Sequence, residues 1–213
     1  MNMKLKWLLA LLFAGLNLPS TFAQSKQDIF DGKTPITWLG LDYTQAKYVG
    51  LDTTKGITAP VFTEQFIKVY VPAWNYLFMT EQKKYNVAKA THRANVAYAL
   101  SVTEKANSAL TGNIVATKGA GFKTLAEQDI SELVKRYDFQ GKTGIGLLFF
   151  IADMDKDKKE EGAWVTFVDM KEKTVLLTLY ATGKTGGMGF RNNWADATFD
   201  ILKQIEAYPH WAK

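Results

Sequence analysis

The sequence predicts an α+β fold, a single domain in which a mostly antiparallel sheet of about five strands carries helices packed mainly on one face. Three observations lead there. Residues 145–152 form a run that is apolar apart from Gly146, as in a strand buried on both faces. Two further β-rich segments, 164–169 and 174–181, follow it across short charged joins, so the three most simply make an antiparallel meander. Apolar residues elsewhere recur at helical spacing and supply amphipathic helices to cover the sheet.

Taken in order, residues 24–31 are polar and read as a frayed start. The β-branched and aromatic residues 36–41 read as a first strand, and a loop with Gly50, Gly56 and Pro60 follows. Thr63 is placed to cap a helix whose apolar face is Phe62, Phe66, Val69, Ala73 and Leu77. Pro72 lies inside it, lacks an N–H, and should kink the helix or divide it in two. Residues 85–102 suit either two strands, 86–90 and 96–100, or a helix; strands are preferred. Residues 112–121 read as a loop. Thr124 and Glu127 have capping-box spacing, ahead of Ala126, Ile130, Leu133 and Tyr137 on one helical side, with Gly141 as the stop. After the three-strand meander and the loop 183–189, Asn193 and Asp196 can cap a last helix faced by Trp194, Ala197, Ile201, Ile205 and Tyr208.

The N-terminus reads as an export signal. Lys4 and Lys6 precede the ten apolar residues 7–16, Pro19 breaks the run, and Thr21-Phe22-Ala23 offers small residues before a cut. Ten apolar residues fall short of the ~20 needed to span a bilayer as a helix. The expected mature chain is therefore a single domain, residues 24–213, without a membrane span, in the periplasm or outside the cell. The chain has no cysteine, which excludes disulfides, thiolate metal sites, cysteine nucleophiles and acylation at a lipoprotein cysteine. Loss of Lys4 and Lys6 lowers the formal charge from +5 to +3, and the only arginines are Arg93, Arg136 and Arg191. A nucleic-acid partner is not expected from so scattered a basic set.

Motifs of known chemistry fail on spacing. Gly141-Lys142-Thr143 and Gly183-Lys184-Thr185 resemble the end of a phosphate-binding loop, but the required earlier glycine is Arg136 in one and Thr178 in the other. Asp153, Asp155 and Asp157 alternate like a calcium loop, yet its glycine place holds Lys158 and its bidentate glutamate place holds Trp164. His92 and His210, the two histidines, lack ligand spacing for zinc. No catalytic residue, metal site or cofactor is expected. The remaining candidate is the glycine-rich loop before the last helix. Gly187 and Gly189 could turn backbone N–H groups toward an anion, with Lys184 and Arg191 adding charge. The alternative is that the glycines serve close packing.

Residues 144–150, 164–169, 174–177 and 186–194 together resemble a family of secreted bacterial proteins to which no activity is attached. The strand–strand–strand–helix layout also looks like the α/β domains of envelope proteins, such as the N-terminal domain of the translocation protein TolB and the curli-secretion lipoprotein family. The likeness is one of fold and carries no activity; the expected function is a non-enzymatic periplasmic binding or envelope-associated protein, with an envelope protein or a small anionic ligand as partner. A hydrolase acting on cell-wall or glycan material through paired carboxylates is the other reading.

Overall fold

The structure, a computed structural model, describes residues 23–116 and 125–211. The export segment, all but Ala23, and Thr124 of the expected capping box lie outside those residues. The described elements run α1 (Lys26–Phe30), β1 (Ile36–Asp42), β2 (Lys47–Val49), α2 (Ala59–Gln65), a π-helical turn (Phe66–Tyr70), α3 (Val71–Thr80), α4 (Val87–Ala90), β3 (Ala97–Tyr98), α5 (Ser101–Ser108), β4 (Val115–Ala116), α6 (Glu127–Arg136), β5 (Ile145–Asp155), β6 (Glu160–Asp169), β7 (Thr174–Lys184) and α7 (Phe190–Glu206).

The sheet corrects the expectation of a mostly antiparallel array. Among the described residues it has seven strands, with β5 at its centre, and four of its six pairings are parallel: β1 with β3, β1 with β5, β2 with β5 and β2 with β4. The β5–β6–β7 hairpins are antiparallel. Two physical reasons account for the difference. Strands β2, β3 and β4 are two or three residues long, too short for a period-2 pattern. The chain also travels from β1 to β5 through helices, and such a crossover returns the next strand parallel.

Helices cover both faces rather than mainly one. The larger apolar cluster joins Trp38, Leu147, Phe149, Val165 and Phe167 of the sheet to Phe66, Trp74, Phe78, Trp194 and Ile201 of the helices. The smaller one joins Leu39, Leu148, Phe150 and Val168 to Val102 of α5 and Ile130 and Val134 of α6. Two bulges set this division. The register slips between Trp38 and Gly40, which lets Trp38 and Leu41 face the same cluster though three residues apart. A second slip after Ile151 does the same for Ile151 and Met154.

Several local readings change. Residues 24–31 are not frayed: α1 forms there, and Ile29 is fully buried. Arg93 anchors α1 from inside, its guanidinium donating to the carbonyls of Ile29 (2.8 Å), Asp28 (3.1 Å), Thr34 (2.9 Å) and Thr91 (3.1 Å). Of the two preferred strands within 85–102, residues 86–90 form α4 instead, while 96–100 keeps only the two-residue β3 before α5 begins. Helix α2 starts at Ala59, with Pro60 in its first turn, where a missing N–H is harmless. Thr63 is instead buried and donates to Asn113. At Pro72 the helical backbone is not broken in two but passes through a π-helical turn: Val71 N–H donates to Phe66 O, and α3 follows without a gap.

Helix α6 stops at Arg136, well before Gly141, because Tyr137 turns extended. Asn193 and Asp196 lie within α7, which starts at Phe190 after Gly189. Four residues of the expected apolar face of α7, Trp194, Ala197, Ile201 and Ile205, are all buried, whereas the fifth, Tyr208, lies beyond the helix end at Glu206. Ile201→Ala should therefore lower stability by about 2–5 kcal/mol, measured by equilibrium denaturation.

Candidate functional site

A large cleft lies at the outer edge of β1. Strand β3 pairs with β1 only at Thr37 and Trp38. Beyond that point side chains take over the role of a neighbouring strand. Asn75 of α3 accepts from Leu41 N (2.8 Å) and donates to Leu41 O (3.1 Å). Asn107 of α5 accepts from Tyr43 N (2.7 Å) and donates to Leu41 O (2.9 Å), while Thr103 donates to Leu39 O (2.7 Å). These groups are buried, so their bonds answer the need of a strand edge shut away from water. Gly40 makes room for them. Its φ is +109°, and a Cβ there would run into Thr103 Oγ1 and Asn75 Oδ1.

Above this floor, α2, the π-turn and α3 form one wall, and α5 with residues 110–113 forms the other, enclosing about 820 Å³. That volume suits a small molecule. Ile67, Val71, Pro60, Pro72 and Leu110 make the lining mainly apolar. At the rim, Lys68 pairs with Glu64 at 2.7 Å and holds its exposed carboxyl below the usual range, and Glu104 stands across from them. Asn75 uses both amide hydrogens, on Leu41 O and Val71 O (3.3 Å). For Asn107, bonds to the strand occupy one hydrogen and one oxygen lone pair, which leaves amide capacity at the cleft floor. Sequence spacing missed this site because the polar residues that build its floor come from two separated helices, α3 and α5. The signal present was Asn75 sharing a helical face with Val71 and Phe78.

A second polar group lies inside the larger cluster. Glu161 of β6 is fully buried; its Oε1 accepts from Thr198 of α7 at 2.8 Å. Burial, reinforced by Asp153, pushes its carboxyl up to about 8. Tyr43, also fully buried, has its phenol raised well above the ordinary range by burial and by Glu161. Asp153 accepts from Tyr180 at 2.7 Å, over Gly162. Because Glu161 and Gly162 are consecutive in a strand, Asp153 and Glu161 belong to opposite faces. These two acids do not share a cleft.

The four residues singled out in the glycine-rich loop are close in the chain but differently engaged. Lys184 ends β7, and its backbone N–H bonds Asp200 at 3.2 Å. Gly187 packs under Asn192, whose backbone carbonyl oxygen stands 2.6 Å from where a Cβ would lie. Gly189 precedes α7 with φ +80°. Arg191 bonds Asn192 at 3.1 Å and reaches Glu81 at 4.0 Å, while its carbonyl accepts from Trp74 at 2.8 Å. Gly183 is the tightest of the set: a Cβ there would enter the carbonyl of Ala197. The carboxylates Asp196 and Asp200 sit beside the loop, against Gly186 and Lys184.

His92 stacks on Trp211 with ring centres 5.3 Å apart, and His210 lies against Phe30 and Tyr208. His210 thus belongs to the docked C-terminal tail, and His92 packs against it. Among the described residues no three His, Cys, Asp or Glu side chains gather as metal ligands, and no helix is long and apolar enough to cross a membrane. Comparison with known protein families, curated proteins and solved structures finds no match to this chain.

Proposed function

We propose that the chain is an exported, non-enzymatic binding protein of the cell envelope. Its ligand is a small, mainly apolar molecule with one hydrogen-bonding end, held in the cleft between α2–α3 and α5. The observation that carries this reading is the cleft itself, about 820 Å³ of mainly apolar space over a buried amide floor. The sheet edge beneath it is already satisfied by Asn75, Thr103 and Asn107, so an added peptide strand is a poor fit there. The glycine-rich loop is a weaker anion site because Asp196 and Asp200 flank it. Asp153 and Glu161 face opposite sides of the sheet and do not supply the paired carboxylates of the hydrolase reading; of the two acids at the cleft rim, Glu64 and Glu104, the first is ion-paired with Lys68.

Calorimetric titration with aliphatic alcohols, amides and carboxylates tests the proposal. Neutral ligands should bind best, since Glu64 and Glu104 stand at the rim. Ile67→Arg, which places a charge against the apolar wall, should weaken binding about tenfold or more. Absence of heat with every member of the series would overturn the assignment of the cleft. Tight phosphate binding abolished by Arg191→Ala would move the site to the loop.

A further inference from the structure

We propose that cleavage after Ala23 creates an ion pair between the α-ammonium of Gln24 and the carboxylate of Asp169, fastening the new N-terminus to the β6–β7 turn. The inference rests on the export reading and adds a structural consequence to it. The backbone nitrogen of Gln24 donates to Asp169 Oδ2 at 2.8 Å across 145 positions of sequence. Asp169 is only 2% exposed, and its Oδ1 accepts from Lys171 N (2.9 Å) and Glu172 N (3.0 Å), which fixes the carboxylate in place.

The other side of the pair is fixed as well. Ser25 bonds Asp28 through both its backbone nitrogen (2.7 Å) and its hydroxyl (2.8 Å). Helix α1 is anchored by buried Ile29 and by Arg93. The position of the Gln24 nitrogen is therefore set by the residues that follow it.

In the uncleaved chain this nitrogen is a peptide amide without charge. Hydrolysis of the Ala23–Gln24 bond by water leaves a carboxylate on Ala23 and an amine on Gln24. An ordinary α-amine has a pKa of about 7.7–8.0 and is mostly protonated at neutral pH. A hydrogen bond charged only on its acceptor thus becomes an ion pair without movement of either partner. The pairing has a chemical consequence too. A free N-terminal glutamine can close on itself: its amine attacks its own side-chain carbonyl, forms a lactam and expels ammonia. An ammonium held by Asp169 has no lone pair for that attack.

The test compares the processed chain, residues 24–213, carrying a free amine with the same chain acetylated only at Gln24. Both are prepared with Asp169 and with Asp169→Asn. Acetylation keeps the N–H and removes the charge. The free-amine form should melt about 2–4 °C higher, and the gap should vanish in Asp169→Asn. Lactam formation, read by mass as loss of one ammonia, should run several-fold faster in Asp169→Asn. Should that variant not fold, the amine pKa of the unaltered chain, read by ¹⁵N NMR, takes its place and should lie above the free-peptide range. Equal melting of the two forms, a gap that persists in Asp169→Asn, or an ordinary amine pKa overturns the proposal. Mass spectrometry of protein from its natural host keeps the two ideas apart. A start at Gln24 with equal melting sinks the ion pair alone, whereas a different N-terminus sinks both.

Discussion

Glu161→Gln should make the protein more stable in alkaline solution and flatten the dependence of its stability on pH. The folded state holds the Glu161 proton up to about 8, against 4.5 for an ordinary glutamate. Below the lower value both states are protonated and the residue has no effect. Between the two values the folded state binds the extra proton, so stability falls as pH rises. Above the upper value the full penalty is present, on the order of 4–5 kcal/mol at 1.36 kcal/mol for each pKa unit. Asp42, buried and also raised, acts in the same direction, while Asp31, Asp155 and Asp200 are lowered and act in a more acidic window. Glutamine keeps an acceptor for Thr198 and has no proton to lose. Denaturant titrations at about pH 5 and about pH 9 measure the difference. Equal slopes for the two proteins between those values would show that Glu161 ionises normally.

Arg93→Ala should destabilise by about 3–5 kcal/mol. The guanidinium is 3% exposed and donates to four carbonyls from three separate stretches of chain, with Asp31 at 3.4 Å. Truncation strands those acceptors and releases α1, and a stranded buried acceptor costs about 1–3 kcal/mol. Arg93→Lys should recover little, since one ammonium cannot span the geometry of a planar fork. Thermal unfolding gives the magnitude, and limited proteolysis should show early cutting near residues 24–34. A loss below about 1 kcal/mol would mean that α1 is held by Ile29 alone.

These two residues also show where sequence reasoning stops. The strand β5 and the face of α7 were legible because long elements repeat their pattern, as Leu147, Phe149 and Ile151 or Trp194, Ala197 and Ile201 do. The meander 145–184 was legible for the same reason. Glu161 was not marked as inward, although it is in phase with Ala163, Val165 and Phe167, because a glutamate beside Glu160 in a charged turn reads as solvated. Arg93 has no local pattern, since its partners are backbone carbonyls at positions 28, 29, 34 and 91. The cleft was invisible for a related reason: its floor depends on a bulge at Gly40 and on amides from two helices. Parallel pairing of β1 with β5 is a property of the crossover and leaves no mark on either strand.

That crossover bears on the order in which the molecule assembles. Ile36 pairs with Ile145 and Asp42 with Phe150, so β1 closes on a partner more than a hundred residues later in the chain. The hairpins β5–β6 and β6–β7 close over a few residues each, and contacts of that kind form fastest. Synthesis delivers β1 long before its partner β5. Until residue 150 has emerged, Trp38, Leu39 and Leu41 have no β5 to pair with, and the hydrophobic surface at the start of the chain depends on something other than its own fold to keep it from aggregating.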